Sequence, residues 1–183
     1  MKIAVISDIH DNLANLKKFL NWAGANDIKE AVCCGDVTNA DTLEYLAKNF
    51  NRRGDGQAGA IHLVRGNMEI YDESEVEKYS NIYYLGRFGA TMIGGRRAGV
   101  CHEPAYIKEV IASCSKDSAK KKTANPTACD IIFYGHTHKP WLEKIDGITA
   151  VNTGTLGGVF QKATFAVWEP ETGKLELKLL ENV

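Results

Sequence analysis

Seven residues whose side chains can bind metal ions stand close after short apolar runs of the sequence. Carboxylate oxygens, imidazole nitrogens and amide oxygens all serve as ligands of divalent cations. Glycine precedes Asp36, Asn67 and His136, which lets the backbone turn sharply and approach a bound group closely. The candidate ligands are Asp8, His10, Asp36, Asn67, His102, His136 and His138.

Each of these motifs is short, and each has an ordinary structural explanation when it is taken alone. A Gly-Asp or Gly-Asn pair is typical of turns, and an Asp-x-His after a strand is typical of a cap or turn. The motifs predict a metal site only when they are taken together, because four of the five histidines of the chain fall among them. His62, the fifth, lies inside an apolar run and is interpreted as a partly buried core or surface histidine.

The ligand set predicts two adjacent metal ions with a carboxylate between them. Seven ligands are too many for one tetrahedral zinc ion. The imidazole content favours manganese, our first expectation, or iron, zinc, cobalt or nickel over calcium and magnesium. Two divalent ions and two aspartates leave the pocket a charge of about +2, which attracts phosphate oxygens and lowers the pKa of a bound water.

The short apolar runs must position these residues, and their β-branched content is typical of buried strands. Open α/β sheets place their sites at the carboxyl ends of strands. The candidate ligands lie after five such predicted strands, as Asp8 with His10, Asp36, Asn67, His102, and His136 with His138. Strands are predicted at Ile3–Ile6, Ala31–Cys34, Ile61–Val64, Ile131–Tyr134, Ile148–Val151, Ala163–Trp168 and Leu175–Leu180, with antiparallel hairpins between Ile82 and Cys101. Helices are predicted from Asn12 to about Gly24, over Thr42–Phe50, and at Tyr71–Tyr79 and Ala105–Ala119. This order predicts a mixed α/β sandwich.

Length and composition are typical of a single globular domain over residues 1–183. The 23 acidic and 22 basic side chains give a net charge of −1, which argues against a general nucleic-acid-binding surface. The lysines at 120–122 are interpreted as a solvated face. The sequence shows neither a secretory signal nor a run near the ~18 apolar residues of a membrane span. We therefore expect a cytoplasmic protein without a membrane partner, and an oligomer is compatible with this sequence.

The five cysteines are interpreted as reduced thiols, because their number is odd and no Cys-x-x-Cys motif is present. Cys33, Cys34 and Cys101 lie in apolar runs and are expected to be small core residues.

The ordered motifs, from Asp8-Ile9-His10 to Gly135-His136-Thr137-His138, resemble the calcineurin-like metallophosphoesterase superfamily. The chain length, and the segment Asn152-Thr153-Gly154-Thr155, resemble its small prokaryotic phosphodiesterase branch. The resemblance implies a four-layer sandwich of two mixed β-sheets flanked by helices. It also implies a phosphodiesterase in which a hydroxide bridging two metals attacks phosphorus in line.

The resemblance further implies which residues hold each metal. One ion would be held by Asp8, His10, Asp36 and His138. The other would share Asp36 as a bridge and take Asn67, His102 and His136. Asp36, Asn67 and His102 are the residues expected to be catalytic as well as ligating.

Two departures from the family pattern narrow the expected chemistry. Met68-Glu69 follows Asn67, where phosphatase members have a histidine that protonates the leaving group, followed by an acid. Methionine cannot donate that proton, which forfeits roughly 10²–10⁴-fold of general acid catalysis. Glu69 matches the acidic position and is expected to support the metal ligands instead of replacing the missing proton donor. The expected His-Gly-His-like stretch is shortened to His102-Glu103-Pro104.

We expect a small phosphate ester as substrate, preferably one whose leaving group needs little protonation. Arg65 is a candidate phosphate contact or a surface ion pair, and Thr153 and Thr155 are candidate pocket residues. One alternative is a protein-interaction scaffold on the same fold, as in the retromer subunit that resembles this family. Another is a phosphomonoesterase or nuclease.

Overall fold

Two mixed β-sheets pack face to face in the computed structural model, which describes residues 1–51, 58–118 and 129–183. The lysines at 120–122 lie outside these ranges. The strands are β1 (Ile3–Ile6), β2 (Glu30–Cys33), β3 (Ala60–Leu63), β4 (Ile82–Tyr84), β5 (Phe88–Ile93), β6 (Arg96–Cys101), β7 (Ile131–Tyr134), β8 (Trp141–Ile145), β9 (Ile148–Asn152), β10 (Thr164–Glu169) and β11 (Lys174–Leu179). The α-helices are α1 (Leu13–Ala25), α2 (Ala40–Asn49) and α3 (Ile107–Ser118), and short 3₁₀ helices cover Glu73–Lys78, Pro104–Tyr106 and Leu180–Asn182.

The first sheet has the order β11-β10-β1-β2-β3-β4, and the second has the order β5-β6-β7-β9-β8. In the first sheet β1, β2, β3 and β4 run parallel, whereas β10 and β11 pair in antiparallel fashion. In the second sheet β6, β7 and β9 run parallel between two antiparallel edge strands. The carboxyl ends of parallel neighbours lie at one edge of their sheet, so the loops after them come together.

Three apolar clusters separate four layers, which confirms the architecture implied by the resemblance. Helices α1 and α2 cover the first sheet, where Phe19 and Leu46 pack with Ile6. The two sheets meet through residues such as Val5 and Phe133. Helix α3 covers the second sheet through a separate cluster that includes Val110 and Ile132.

Helices α1 and α2 begin at side-chain caps. The side-chain Oδ1 of Asn12 accepts the backbone N–H of Asn15 at 3.1 Å, and the side-chain Oδ1 of Asn39 accepts the backbone N–H of Thr42 at 2.9 Å. These caps place the start of α1 just after His10 and the start of α2 just after Asp36. Both helices therefore leave the sheet directly after a candidate ligand.

The structure corrects three local predictions. The segment at Tyr71–Tyr79 contains a 3₁₀ helix, and β4 pairs in parallel with β3 instead of forming a hairpin. The pattern also missed β8, whose side chains are mostly exposed at the sheet edge. Pairing at a sheet edge depends on which neighbour is available, and local periodicity does not carry that information.

The prediction of five reduced thiols is wrong for Cys114 and Cys129, which form a disulfide between α3 and the segment before β7. They are 15 residues apart in sequence but only 5.8 Å apart between Cα atoms, because α3 packs on the second sheet. Cys33, Cys34 and Cys101 are free and buried, as expected. None of the described helices combines the length and apolarity needed to cross a membrane.

Candidate metal centre

Asp8 and Asp36 form the buried floor of the site. They follow the adjacent parallel strands β1 and β2, and both have backbones in the left-handed region, with φ of 54° and 55°. The Asp8 N–H donates to the Gly35 carbonyl at 3.0 Å, and the His10 N–H donates to the Asp36 carbonyl at 3.0 Å. These backbone hydrogen bonds hold the two ligand-bearing loops together without the help of a metal ion.

Beside Asp8, two imidazoles face each other at one side of the floor. His10 Nε2 and His138 Nε2 are 3.0 Å apart. Asp8 Oδ1 lies 3.2 Å from His138 Nε2 and 3.7 Å from His10 Nε2. One carboxylate oxygen and two imidazole nitrogens therefore converge on a single point, as a cation site requires.

On the other side, an amide oxygen lies between two imidazoles. Asn67 Oδ1 is 2.8 Å from His102 Nε2 and 2.9 Å from His136 Nδ1. The two imidazole nitrogens are themselves 3.3 Å apart. His102 is buried, whereas Asn67 and His136 are exposed, so the centre opens to solvent on this side.

Asp36 lies between the two groups. Its Oδ2 is 3.2 Å from His102 Nε2 and 3.7 Å from His10 Nε2. Its Oδ1 accepts the backbone N–H of Met68 at 2.8 Å, which fixes the carboxylate plane. All seven candidate ligands are thus joined by an unbroken series of contacts through Asp36.

Hydrogen bonds from the outer ring nitrogens orient two of the histidines. His102 Nδ1 donates to the Cys34 carbonyl at 2.7 Å, and His138 Nδ1 donates to the Val159 carbonyl at 3.1 Å. In the neutral imidazoles this arrangement leaves Nε2 unprotonated and directed toward the carboxylates. These carbonyl partners could not be anticipated from side-chain motifs, because a backbone acceptor has no residue signature.

Two glycines allow the loops to come this close. A Cβ at Gly66 would overlap Asp36 Oδ1, and a Cβ at Gly135 would overlap Ser7 Oγ and lie 2.5 Å from Asp8 Oδ2. The Gly-Asn and Gly-His pairs of the sequence are therefore close approaches of backbone to carboxylate.

The aspartates change the protonation of their imidazole neighbours. The Asp8 carboxylate beside the imidazole raises the pKa of His10 against the opposing effect of burial, and the charge of Asp36 adds to the increase. Burial lowers the pKa of His102, but the hydrogen bond and charge of Asp36 outweigh it, so the pKa is raised overall. Burial raises the pKa of Asp36, whereas the same partnership with His102 leaves it lowered overall.

Glu69 lies behind the site instead of in it. Its Oε1 accepts the backbone N–H of Val37 at 3.2 Å, and its side chain is buried. Burial, followed by the charge of Asp36, raises its pKa. Glu69 therefore supports the loop that carries Asp36.

The three candidate substrate contacts are half-buried, in the case of Arg65, or fully buried, in the case of Thr153 and Thr155. Arg65 donates to the carbonyls of Glu69 and Tyr71 at 3.3 Å each, which braces the loop after β3. Thr153 and Thr155 are fully buried, and Thr155 Oγ1 donates to the Asp8 carbonyl at 2.9 Å. This placement does not support their prediction as pocket-lining residues, because neither hydroxyl reaches the solvent side of the centre.

His62 also lies apart from the ligand cluster. It is buried in β3, where its Nδ1 is 3.0 Å from Thr91 Oγ1. Burial lowers its pKa despite a nearby Glu30 carboxylate. The interpretation of His62 as a structural histidine agrees with this setting.

The ligand set suits divalent transition metals. Two groups, Asp8 with His10 and His138, and Asp8 with Asp36 and His102, each place one ligand atom per residue within 4.8 Å of the others. Mixed imidazole and carboxylate ligands are typical of manganese, iron, zinc, cobalt and nickel sites. The residues present therefore fit a metal centre.

Comparison with known proteins gives one family. A family model described as the calcineurin-like phosphoesterase superfamily domain matches residues 1–173. The chain is 21% identical over 163 residues to phosphodiesterase MJ0936 of Methanocaldococcus jannaschii, covering 86% of each protein.

Solved structures show the same fold. A novel archaeal phosphodiesterase matches with a TM-score of 0.77 at 19% identity, over 98% of this chain and 99% of that one. Wild-type Vps29 of Entamoeba histolytica, complexed with Zn²⁺, matches with a TM-score of 0.61 at 18% identity, over 97% of each chain.

Proposed function

Because this chain belongs to the calcineurin-like phosphoesterase superfamily and is a phosphoric ester hydrolase, we propose that it is a phosphodiesterase that uses two divalent metal ions. The position of Asp36 carries the proposal. Its Oδ2 faces His102 on one side and His10 on the other, which is where a ligand shared by two ions must lie.

The contacts support one ion among Asp8, His10, Asp36 and His138 and a second among Asp36, Asn67, His102 and His136. We propose manganese as the preferred metal, since imidazole and carboxylate ligands together suit it. When bound, such ions supply positive charge for phosphate oxygens and lower the pKa of water. The zinc bound to the structurally similar Vps29 supports the capacity of this fold for metal.

The chain's own residues orient and limit the reaction. Asn67 and His136 form the exposed side, so the phosphate approaches there. The Met68 backbone N–H holds Asp36 in position. The exposed thioether side chain of Met68 has no proton to donate to a leaving group. The site therefore favours diesters with leaving groups that are stable as anions.

The test is to strip the protein of metal, reload it with manganese, nickel or zinc, and assay aryl diesters, alkyl monoesters and cyclic nucleotides. Asp36→Ala should abolish turnover of every substrate and lower metal stoichiometry. Asp41→Ala, which removes an exposed carboxylate from the first turn of α2, is the matched control and should behave as wild type. Persistent activity in Asp36→Ala contradicts the two-metal assignment, and faster turnover of alkyl monoesters contradicts the diester preference.

A protein-interaction scaffold is the second candidate, and Met68 is the observation that favours it, because it removes the expected proton donor. The seven intact ligand positions favour the enzyme. Failure of the wild-type protein to bind any of these metals near stoichiometrically would contradict the enzyme and favour the scaffold.

A further inference from the structure

Phe160 is an aromatic side chain held at the mouth of the metal centre. Its ring stacks on that of His138, with centroids 6.0 Å apart and planes inclined by 20°. The side chain is 91% exposed, so nearly all of the ring faces solvent. One ring thus separates Phe160 from the ligand atom His138 Nε2.

The backbone of Phe160 is in an unfavourable conformation. Its φ of 61° lies in the left-handed region, which bulky residues adopt rarely and at a cost of about 1–3 kcal/mol. Such conformations persist only where the surroundings hold them, and they cluster at functional sites.

The surroundings of Phe160 do hold it. The preceding carbonyl, that of Val159, accepts the Nδ1–H of His138 at 3.1 Å. The Asn12 side chain donates to the Gly157 carbonyl at 2.8 Å, and the Gly158 N–H donates to Thr155 Oγ1 at 3.1 Å. The loop is therefore tied to α1, to the floor of the site and to a candidate ligand, which fixes the backbone just before Phe160, and the Phe160 ring contacts that same ligand, His138.

An exposed apolar side chain also follows a candidate ligand on the other side of the centre. Met68, which is 49% exposed, comes directly after Asn67, whose Oδ1 lies between His102 and His136. The centre therefore combines carboxylates and imidazoles, which would hold the metal ions that attract a phosphate, with exposed apolar side chains beside them. A flat aromatic surface of this kind contributes most to binding when the ligand presents a flat aromatic group of its own.

We propose that Phe160 determines substrate specificity by stacking on a planar aromatic group of the phosphate ester bound at the metal centre. The proposal rests on the proposed function in taking a phosphate ester as the ligand. The aromatic group can be a simple aryl ring or a nucleobase, and both present the same π-face to Phe160.

The test measures binding instead of turnover. Isothermal titration calorimetry on the manganese-loaded protein compares phenylphosphonate with methylphosphonate, which carry the same anionic group. Uridine 5′-monophosphate and ribose 5-phosphate form the second pair, which differs by a nucleobase. Wild type should prefer the aromatic member of at least one pair, and Phe160→Ala should reduce that preference about three- to tenfold.

The variants separate stacking from folding and from general apolar contact. Phe160→Trp should retain the preference, and Phe160→Leu should lose most of it while binding the non-aromatic probes normally. Met92→Ala removes another exposed apolar side chain, in β5 near the β5–β6 turn, and should change nothing. Preference in the phenyl pair identifies an aryl ester, and preference in the uridine pair identifies a nucleotide.

Two results overturn the proposal: wild-type protein with no aromatic preference in either pair, or an unchanged preference in Phe160→Ala. The proposed function fails by a different result, namely a metal-loaded wild-type protein that hydrolyses no ester. The two failures are therefore distinguishable.

Discussion

The side-chain amide of Asn152 donates a 2.7 Å hydrogen bond to the carbonyl of Gly135, the residue directly before His136. The same Nδ2 donates to Thr137 Oγ1 at 3.0 Å, and Oδ1 accepts the Gly154 N–H at 2.8 Å. A buried amide at the end of β9 therefore holds the turn that presents both His136 and His138.

Asn152→Ala should loosen this turn without removing a ligand. We expect metal affinity to fall about 10- to 100-fold, as for other residues that orient ligands. The free energy of unfolding should fall by about 1–3 kcal/mol, because the Gly135 carbonyl loses its buried donor. Metal titration and chemical denaturation measure the two effects. The control is Asn49→Ala, which removes an exposed hydrogen bond to the Tyr45 carbonyl in α2 and should change neither metal affinity nor stability. Equal effects in both variants would contradict the role of Asn152.

Gly135→Ala should disrupt the centre through a single methyl group. The new Cβ would overlap Ser7 Oγ, so β7 and β1 must separate beside Asp8. We expect a destabilisation of about 1–3 kcal/mol and loss of stoichiometric metal binding. Gly24→Ala provides the control, because a Cβ there meets no atom within 4 Å and its helix α1 should gain about 0.5–1 kcal/mol. Normal metal binding by Gly135→Ala would show that this close approach is dispensable.

Metal binding should release protons. In the metal-free protein the pKa values of His10 and His102 are raised above 6.5, so their contribution to stability is complete below that pH and is lost as pH rises through the raised values. Metal ligation requires neutral imidazoles, so metal affinity should rise with pH over the same window. Calorimetry near pH 6.5 in buffers of different ionisation enthalpy measures the release. A binding enthalpy independent of the buffer would contradict it.

Met68→His should restore a proton donor beside the centre. The substitution leaves in place the backbone N–H that holds Asp36, and the exposed side chain has room for an imidazole. We expect kcat on alkyl esters to rise at least about tenfold, and the rise on 4-nitrophenyl esters to be smaller, because nitrophenolate leaves without protonation. The rate should also fall above the pKa of the new imidazole. Met92→His should have no effect, and a uniform gain on all esters would argue against proton donation.

Local patterns predicted the elements that bury a continuous apolar face. Strands β1 and β7 agree with their predicted ranges, and α1 begins within one residue of its predicted start at Asn12, because short β-branched runs and helical spacing are local properties. The parallel pairing of β4 and the existence of β8 were not predictable in this way. An exposed edge strand is stabilised by the neighbour with which it pairs, which lies elsewhere in the chain.

The residues around the candidate ligands were likewise not predictable from local sequence patterns. The sequence suggested Thr155 as a pocket residue, whereas the fold directs its hydroxyl to the Asp8 backbone. It suggested free thiols at Cys114 and Cys129, which packing of α3 brings together. Phe160 had no motif at all, since an aromatic residue in a polar loop acquires significance only from the ring it contacts.

By itself, the sequence determined which ligand atoms this protein has and that each follows the end of a strand. Side-chain chemistry and strand ends are local, so they can be recognised without knowing the fold. Only the tertiary structure decided that Asp36 lies between His10 and His102, and that Phe160 stacks on His138. Those distances join residues far apart in the chain, and the order of strands within two packed sheets sets them.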